Sequence, residues 1–217
     1  MVKYAEVREL NGIDEEAIAK AGTSSKALLV MLQRGLVSIG SEEANKQDLD
    51  SLLSGDRDAI LIGIRKITFG ANVDFSLTCP HCRTDLNVAV DLNTDIPYRN
   101  LEDPIDGRYF DYESPTHGII RVSLPNGATQ RKLMENTDKT VAELNTILLA
   151  GCVESVNGLA SMGASTVLKL GMADREKLVN EIVKRNPGPR LGEVSTSCEA
   201  CGEDIAMPLA LPDLFRL

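Results

Sequence analysis

The chain has 217 residues, 23 Lys plus Arg against 32 Asp plus Glu for a formal charge of -9, 43% hydrophobic and 25% charged residues, and no Trp. A chain of this length and composition can bury a core without disulfides or oligomerisation, which excludes disorder throughout. Its longest apolar runs, residues 27–32 and the broken stretch 59–64, fall far short of the roughly 18 to 20 residues that span a bilayer, so no membrane span is expected.

Residues 1–12 show no apolar stretch ahead of a small-residue cleavage site, so the protein is expected to stay in the compartment where it is made. Residues 17–36 carry a helical pattern, with Ala27, Leu28, Met31 and Leu32 apolar and Gly35 at the end. Residues 41–70 also read as helical, broken at Ser54-Gly55. Their second part has Asp56 as N-cap, Ile60, Leu61, Ile64 and Ile67 on one face, and Gly70 as the stop. From Val73 the period becomes two, and Leu86, Val88, Val90 and Leu92 alternate with polar or small residues as in a half-buried strand. Residues 91–114 are rich in Asp, Asn and Pro and read as a connecting loop. Residues 119–124 read as a strand, followed by a hairpin turn at Asn126-Gly127. Thr140 and Glu143 have capping-box spacing, and Val141, Leu144, Ile147, Leu148, Cys152 and Val156 follow at helical intervals until Asn157-Gly158. Asp174 caps a last helix bearing Leu178, Val179, Ile182 and Val183, which the Asn-Pro-Gly-Pro run at 186–189 stops.

Four of the five cysteines form two knuckles, Cys79-Pro80-His81-Cys82 and Cys198-Glu199-Ala200-Cys201. In a reducing compartment such pairs favour metal over disulfides. A two-residue gap lets both sulfurs of a knuckle reach one ion, so Cys79, Cys82, Cys198 and Cys201 together are expected to hold one tetrahedral zinc. The flanks match as well: Ser76 with Ser195, Asp85 with Asp204, Leu86 with Ile205, Val88 with Met207. That is a strand, knuckle, strand unit used twice. The predicted fold is α+β: a zinc ribbon from residues 70–92 and 191–217, interrupted by a mostly helical insertion over 93–190 and preceded by an N-terminal helical region, 1–69. The 115 residues from Arg83 to Ser197 are no obstacle, since doubling a loop costs roughly 0.6 kcal/mol against about 10 to 16 kcal/mol of structural zinc binding. Two separate sites completed by partner chains, or free thiols, are the competing arrangements. His81 is not expected to be a ligand, and Cys152 reads as a small buried core residue.

Four thiolates close the metal shell, which argues for a structural ion and against an enzyme. Of the two histidines, His117 sits in a turn-like Ser-Pro-Thr-His-Gly run. Residues 158–165 imitate a phosphate-binding loop, but Ala164 stands where Lys is needed. The knuckle arms hold one Arg among many acids, so nucleic-acid binding is not expected either. The apolar stretch 208–217 can dock on a partner or pack on its own chain.

The run Asp56-Arg57-Asp58-Ala59-Ile60-Leu61, then Ile64-Arg65-Lys66-Ile67-Thr68-Phe69-Gly70, then the first knuckle, resembles the zinc-knuckle baseplate hub proteins and hub assembly chaperones of T-even-like contractile-tailed bacteriophages. Ser123-Leu124-Pro125-Asn126-Gly127 and the closing residues 198–215 are similar to members of that group too. The resemblance implies a non-enzymatic hub subunit or hub assembly factor that contacts other baseplate or tail proteins, assembled in the host cytoplasm and located in the virion tail. The alternative from another class is a zinc-ribbon regulatory module binding nucleic acid or a polymerase-type partner.

Overall fold

The computed structural model describes residues 4–215, which mix helices with small antiparallel sheets. The chain divides into two compact units, one from Met1–Ala44, Asp58–Arg99 and Gly188–Leu217, the other from Asn45–Arg57 and Asn100–Pro187.

The first elements are β1 (Ala5–Val7), α1 (Gly12–Ala19), α2 (Ser24–Gly35), β2 (Leu36–Ile39) and β3 (Glu42–Glu43). The helix expected over 17–36 is thus two helices, separated where Gly22 takes φ +77° and Thr23 caps the second by accepting from the Lys26 N–H. Next come α3 (Lys46–Ser51) and α4 (Ser54–Phe69). Asp56 lies in the first turn of α4, where an acid favours the helix dipole, and not at its cap. The antiparallel pair β4 (Asn72–Thr78) and β5 (Asp85–Asp91) follows, then β6 (Tyr98–Arg99).

The second unit holds β7 (Tyr109–Ser114), β8 (Gly118–Ser123), α5 (Gly127–Met134), α6 (Val141–Cys152), β9 (Val153–Val156), β10 (Leu159–Ala160), α7 (Ala164–Val167) and α8 (Met172–Arg185). Three sequence expectations fail here. The segment 91–114 is not all loop, because Phe110, Tyr112 and Ser114 alternate inward along β7. The Asn126-Gly127 pair is not a hairpin turn: Asn126 is extended, and its side chain accepts from the Thr129 N–H to start α5. The hairpin turn is a different Asn-Gly pair, Asn157 (φ +48°) and Gly158 (φ +79°), between β9 and β10. Accordingly α6 ends at Cys152 rather than running to Val156, where β-branched Val153 and Val156 suit a strand. Ile120, Val122, Leu149, Cys152, Val167, Leu178 and Ile182 form the core of this unit.

The chain closes with β11 (Gly188–Pro189), which pairs with β6, then β12 (Ser195–Ser197), β13 (Asp204–Ala206) and α9 (Leu211–Phe215). The stretch 208–215 packs on its own chain, with Leu214 1% exposed in a cluster with Ile62, Val73, Leu92 and Leu191.

One unit of structure occurs twice, well beyond the knuckles. The order β1-α1-α2-β2-β3-α3-α4 repeats as β8-α5-α6-β9-β10-α7-α8. In the first copy Ala5, Glu6 and Val7 pair with Ile39, Ser38 and Leu36 across a bulge after Glu6. In the second, Ile120, Arg121 and Val122 pair with Val156, Ser155 and Val153 across a bulge after Arg121. Asn11 and Asn126 cap α1 and α5, Thr23 and Thr140 cap α2 and α6, and Asp56-Arg57 matches Asp174-Arg175. A β4-β5 hairpin follows the first copy and a β12-β13 hairpin the second.

Candidate metal centre

Each knuckle is the tip of one of these two hairpins. In the first, the Cys79 N–H donates to the Thr84 carbonyl and the Arg83 N–H to the Cys79 carbonyl, both at 2.9 Å. In the second, the Cys198 N–H donates to the Glu203 carbonyl at 2.9 Å and the Gly202 N–H to the Cys198 carbonyl at 2.7 Å. Both chains turn through the left-handed region at matching positions, Arg83 at φ +63° and Gly202 at φ +75°. Below each tip a hydroxyl meets a carboxylate at 2.8 Å, Thr78 with Asp85 and Ser197 with Asp204. The hairpins do not pair into a common sheet, as a simple ribbon would have them do; each is a separate two-stranded sheet. They meet through apolar side chains instead: Leu77, Leu86 and Ile205 around Cys79 and Cys198, then Val90, Val194 and Met207.

The four sulfurs of Cys79, Cys82, Cys198 and Cys201 all lie within 4.8 Å of one another and could hold a metal ion. Cys79 Sγ is 3.8 Å from Cys201 Sγ, and Cys82 Sγ is 3.7 Å from Cys198 Sγ. A tetrahedron with metal–sulfur bonds of about 2.3 Å has edges of about 3.8 Å, so the cross-knuckle edges have the size a zinc–thiolate shell needs. Cys79 and Cys198 are buried, Cys82 and Cys201 exposed. Four thiolates this close would repel one another unless a cation sat among them. Hydrogen bonding from Thr84 holds the Cys82 thiol down to about 6. The Glu203 amide favours a Cys201 thiolate, but local loss of solvation and the neighbouring sulfurs outweigh it and push that thiol up to about 12. A divalent ion removes the conflict by pairing with every thiolate.

Of the other residues singled out in the sequence, His81 is exposed and not among the clustered ligands. His117 lies in the β7-β8 turn, its N–H donating to Ser114 Oγ at 3.0 Å. Cys152 is fully buried in the second unit's core, and its surroundings push its thiol up to about 12.

Arg65, which the sequence marks only as part of the family-like run, is 7% exposed, and its guanidinium donates to the carbonyls of Leu214 (2.6 Å), Gly70 (2.6 Å) and Asn72 (3.3 Å). It fixes the end of α4 to the start of the first knuckle hairpin and to α9. Thr68 Oγ1 accepts from the Leu10 N–H at 3.2 Å, and Gly70 takes φ +85°. Each landmark of the Arg-x-x-Thr-x-Gly run therefore has a separate structural task. The family described as T4 bacteriophage base plate protein matches residues 18–216. The chain belongs to that family. Neither the curated proteins nor the solved structures compared with it gave a match. Membership makes it a protein of the phage base plate. Among the described residues no helix is long and apolar enough to cross a membrane.

Proposed function

We propose that the chain is a hub subunit or hub assembly factor of a contractile phage tail baseplate, stabilised by one structural zinc and acting through protein contacts rather than catalysis. The family match over residues 18–216 carries this reading. The cysteine cluster supports its zinc part, since it offers a closed tetrahedral set with no place for a substrate or water. In this reading residues 70–92 and 191–217 act as one zinc-clamped module held by Cys79, Cys82, Cys198 and Cys201. The nucleic-acid alternative is disfavoured by the surface of that module, where Asp74, Asp85, Glu199, Glu203 and Asp204 are all exposed and Arg83 is the one exposed cation of the two tips.

Disrupting the gene in its native genome tests the role. Tails lacking their baseplates support it, whereas normal baseplates and full infectivity would reject it. Finding the chain in purified mature particles identifies a retained subunit, and its absence there together with defective tails identifies an assembly factor.

A further inference from the structure

The repeated unit is joined to its second copy by a contact with two different sides. One side is the turn between α3 and α4 in the first copy; the other is the Asn-Gly helix cap of the second. Leu53 and Asn126 form an isolated antiparallel bridge. In it the Gly127 N–H donates to the Leu52 carbonyl at 2.8 Å and the Ser54 N–H to the Pro125 carbonyl at 2.9 Å. A Cβ on Gly127 would run into the Leu49 carbonyl and Arg57 Nη1, and Arg57 closes the joint by donating to the Gly127 carbonyl at 2.7 Å. Beside it Arg131 pairs with Asp50 at 2.7 Å.

Each copy owns both sides, so one of each is left over. The spare cap is Leu10-Asn11-Gly12, where Asn11 has φ −120°, ψ −179° against −106°, −179° for Asn126. The spare turn is Leu170-Gly171-Met172, between α7 and α8. The Gly12 and Met172 N–H groups and the Leu10 and Leu170 carbonyls correspond to the four groups of the existing bridge, and they make no hydrogen bond among the described residues. Gly12 has nothing within 4 Å of where a Cβ would stand. Three large apolar side chains flank these segments in water: Ile13 is 74% exposed, Leu168 65% and Met172 89%. The charges are complementary with reversed sign, because exposed Glu16 holds the place of Arg131 while exposed Lys169 stands next to the place of Asp50.

We infer that the protein self-associates head to tail, with Leu170-Gly171-Met172 of one molecule bridging Leu10-Asn11-Gly12 of a second copy as Leu52-Leu53-Ser54 bridges Pro125-Asn126-Gly127 within the chain. Such a contact is heterologous, so assembly proceeds past two molecules unless a ring closes. Two backbone hydrogen bonds and three side chains make it weak, with a dissociation constant between about 1 µM and 1 mM.

Sedimentation velocity of the zinc-loaded full chain over that range tests it, the expectation being a mass that climbs from the 23.5 kDa monomer as concentration rises. Gly12→Ala puts a methyl group where Gly127 tolerates none. Met172→Pro removes the N–H donor at a first helical position, where proline is tolerated, and follows Gly171 at φ −59°, ψ 148°, which suits the residue before proline. Each variant should weaken association by about tenfold or more with an unchanged Tm. Because each retains the side the other lacks, an equimolar mixture should form a 1:1 dimer and stop there. A parent that stays monomeric throughout, variants that associate as tightly as the parent, or a mixture that gains no dimer would overturn the inference.

Discussion

Replacing Arg65 by Met tests whether one side chain locks the end of α4. Methionine keeps most of the aliphatic volume and removes all five donors. The bond to the Leu214 carbonyl is buried, so that acceptor would be stranded at a cost of about 1–3 kcal/mol. The bonds to Gly70 and Asn72 are only partly buried; water replaces the donor there, and each loss is about 0.5 kcal/mol. No longer burying a guanidinium returns part of this. The net expectation is about 2–3 kcal/mol, which at a urea m-value near 2 kcal/mol/M lowers the midpoint by about 1–1.5 M. Urea titration by circular dichroism with zinc present measures it, and Arg65→Lys, which can satisfy one carbonyl of the three, should fall between the two. A midpoint shift below about 0.3 M with unchanged m would refute the idea that these carbonyls depend on Arg65.

Elemental analysis of purified, reduced protein should give one zinc per chain, and Cys198→Ser should cost several kcal/mol, about 3 or more, in a thermal melt; a stoichiometry near zero contradicts the site. Arg83→Gly should stabilise by about 0.5–1 kcal/mol, since Arg83 occupies at φ +63° a position where the second knuckle uses Gly202, and a lower melting temperature would count against it. Asp14 is 1% exposed, and hydrogen bonding from Arg8, aided by Asn11 and Arg34, holds its carboxyl well below the usual range. The stability this contributes is present above the ordinary carboxylate value and lost as pH falls through the lower folded one. Asp14→Asn should therefore flatten the pH–stability curve on the acid side of about pH 4; a curve parallel to the parent's would exclude Asp14 as its source.

The parts legible in the sequence are those where one local rule acts alone. CxxC spacing and the Thr140–Glu143 capping box are complete within four residues, and both lead to well-defined local structure. Asn126-Gly127 and Asn157-Gly158 show where local reading stops. As dipeptides they are identical, and what separates them lies elsewhere in the chain: Gly127 packs under the Leu49 carbonyl, while Asn157-Gly158 joins β10 to β9, whose own place is set by pairing with β8. The duplicated fold is hidden in the sequence for a related reason. Its copies share backbone, caps and bulges rather than side chains, so Leu36 pairs with Val7 while the equivalent Val153 pairs with Val122. Side-chain chemistry keeps the correspondence visible only at scattered points: the knuckles, the Asn and Thr caps, and Asp56-Arg57 with Asp174-Arg175.

The division of the four sulfurs between two hairpins has a consequence for synthesis. The ribosome makes Cys79 and Cys82 long before Cys198, and the first hairpin alone offers an ion two thiolates. Any chain terminated before Cys198 carries half a ligand set and lacks α9 and β13, the pairing partner of β12, leaving Arg65 without the Leu214 carbonyl. Capture of an ion by all four sulfurs would therefore report that translation has passed the second knuckle, and a truncated product would be marked by two open thiols and an uncovered apolar hairpin face.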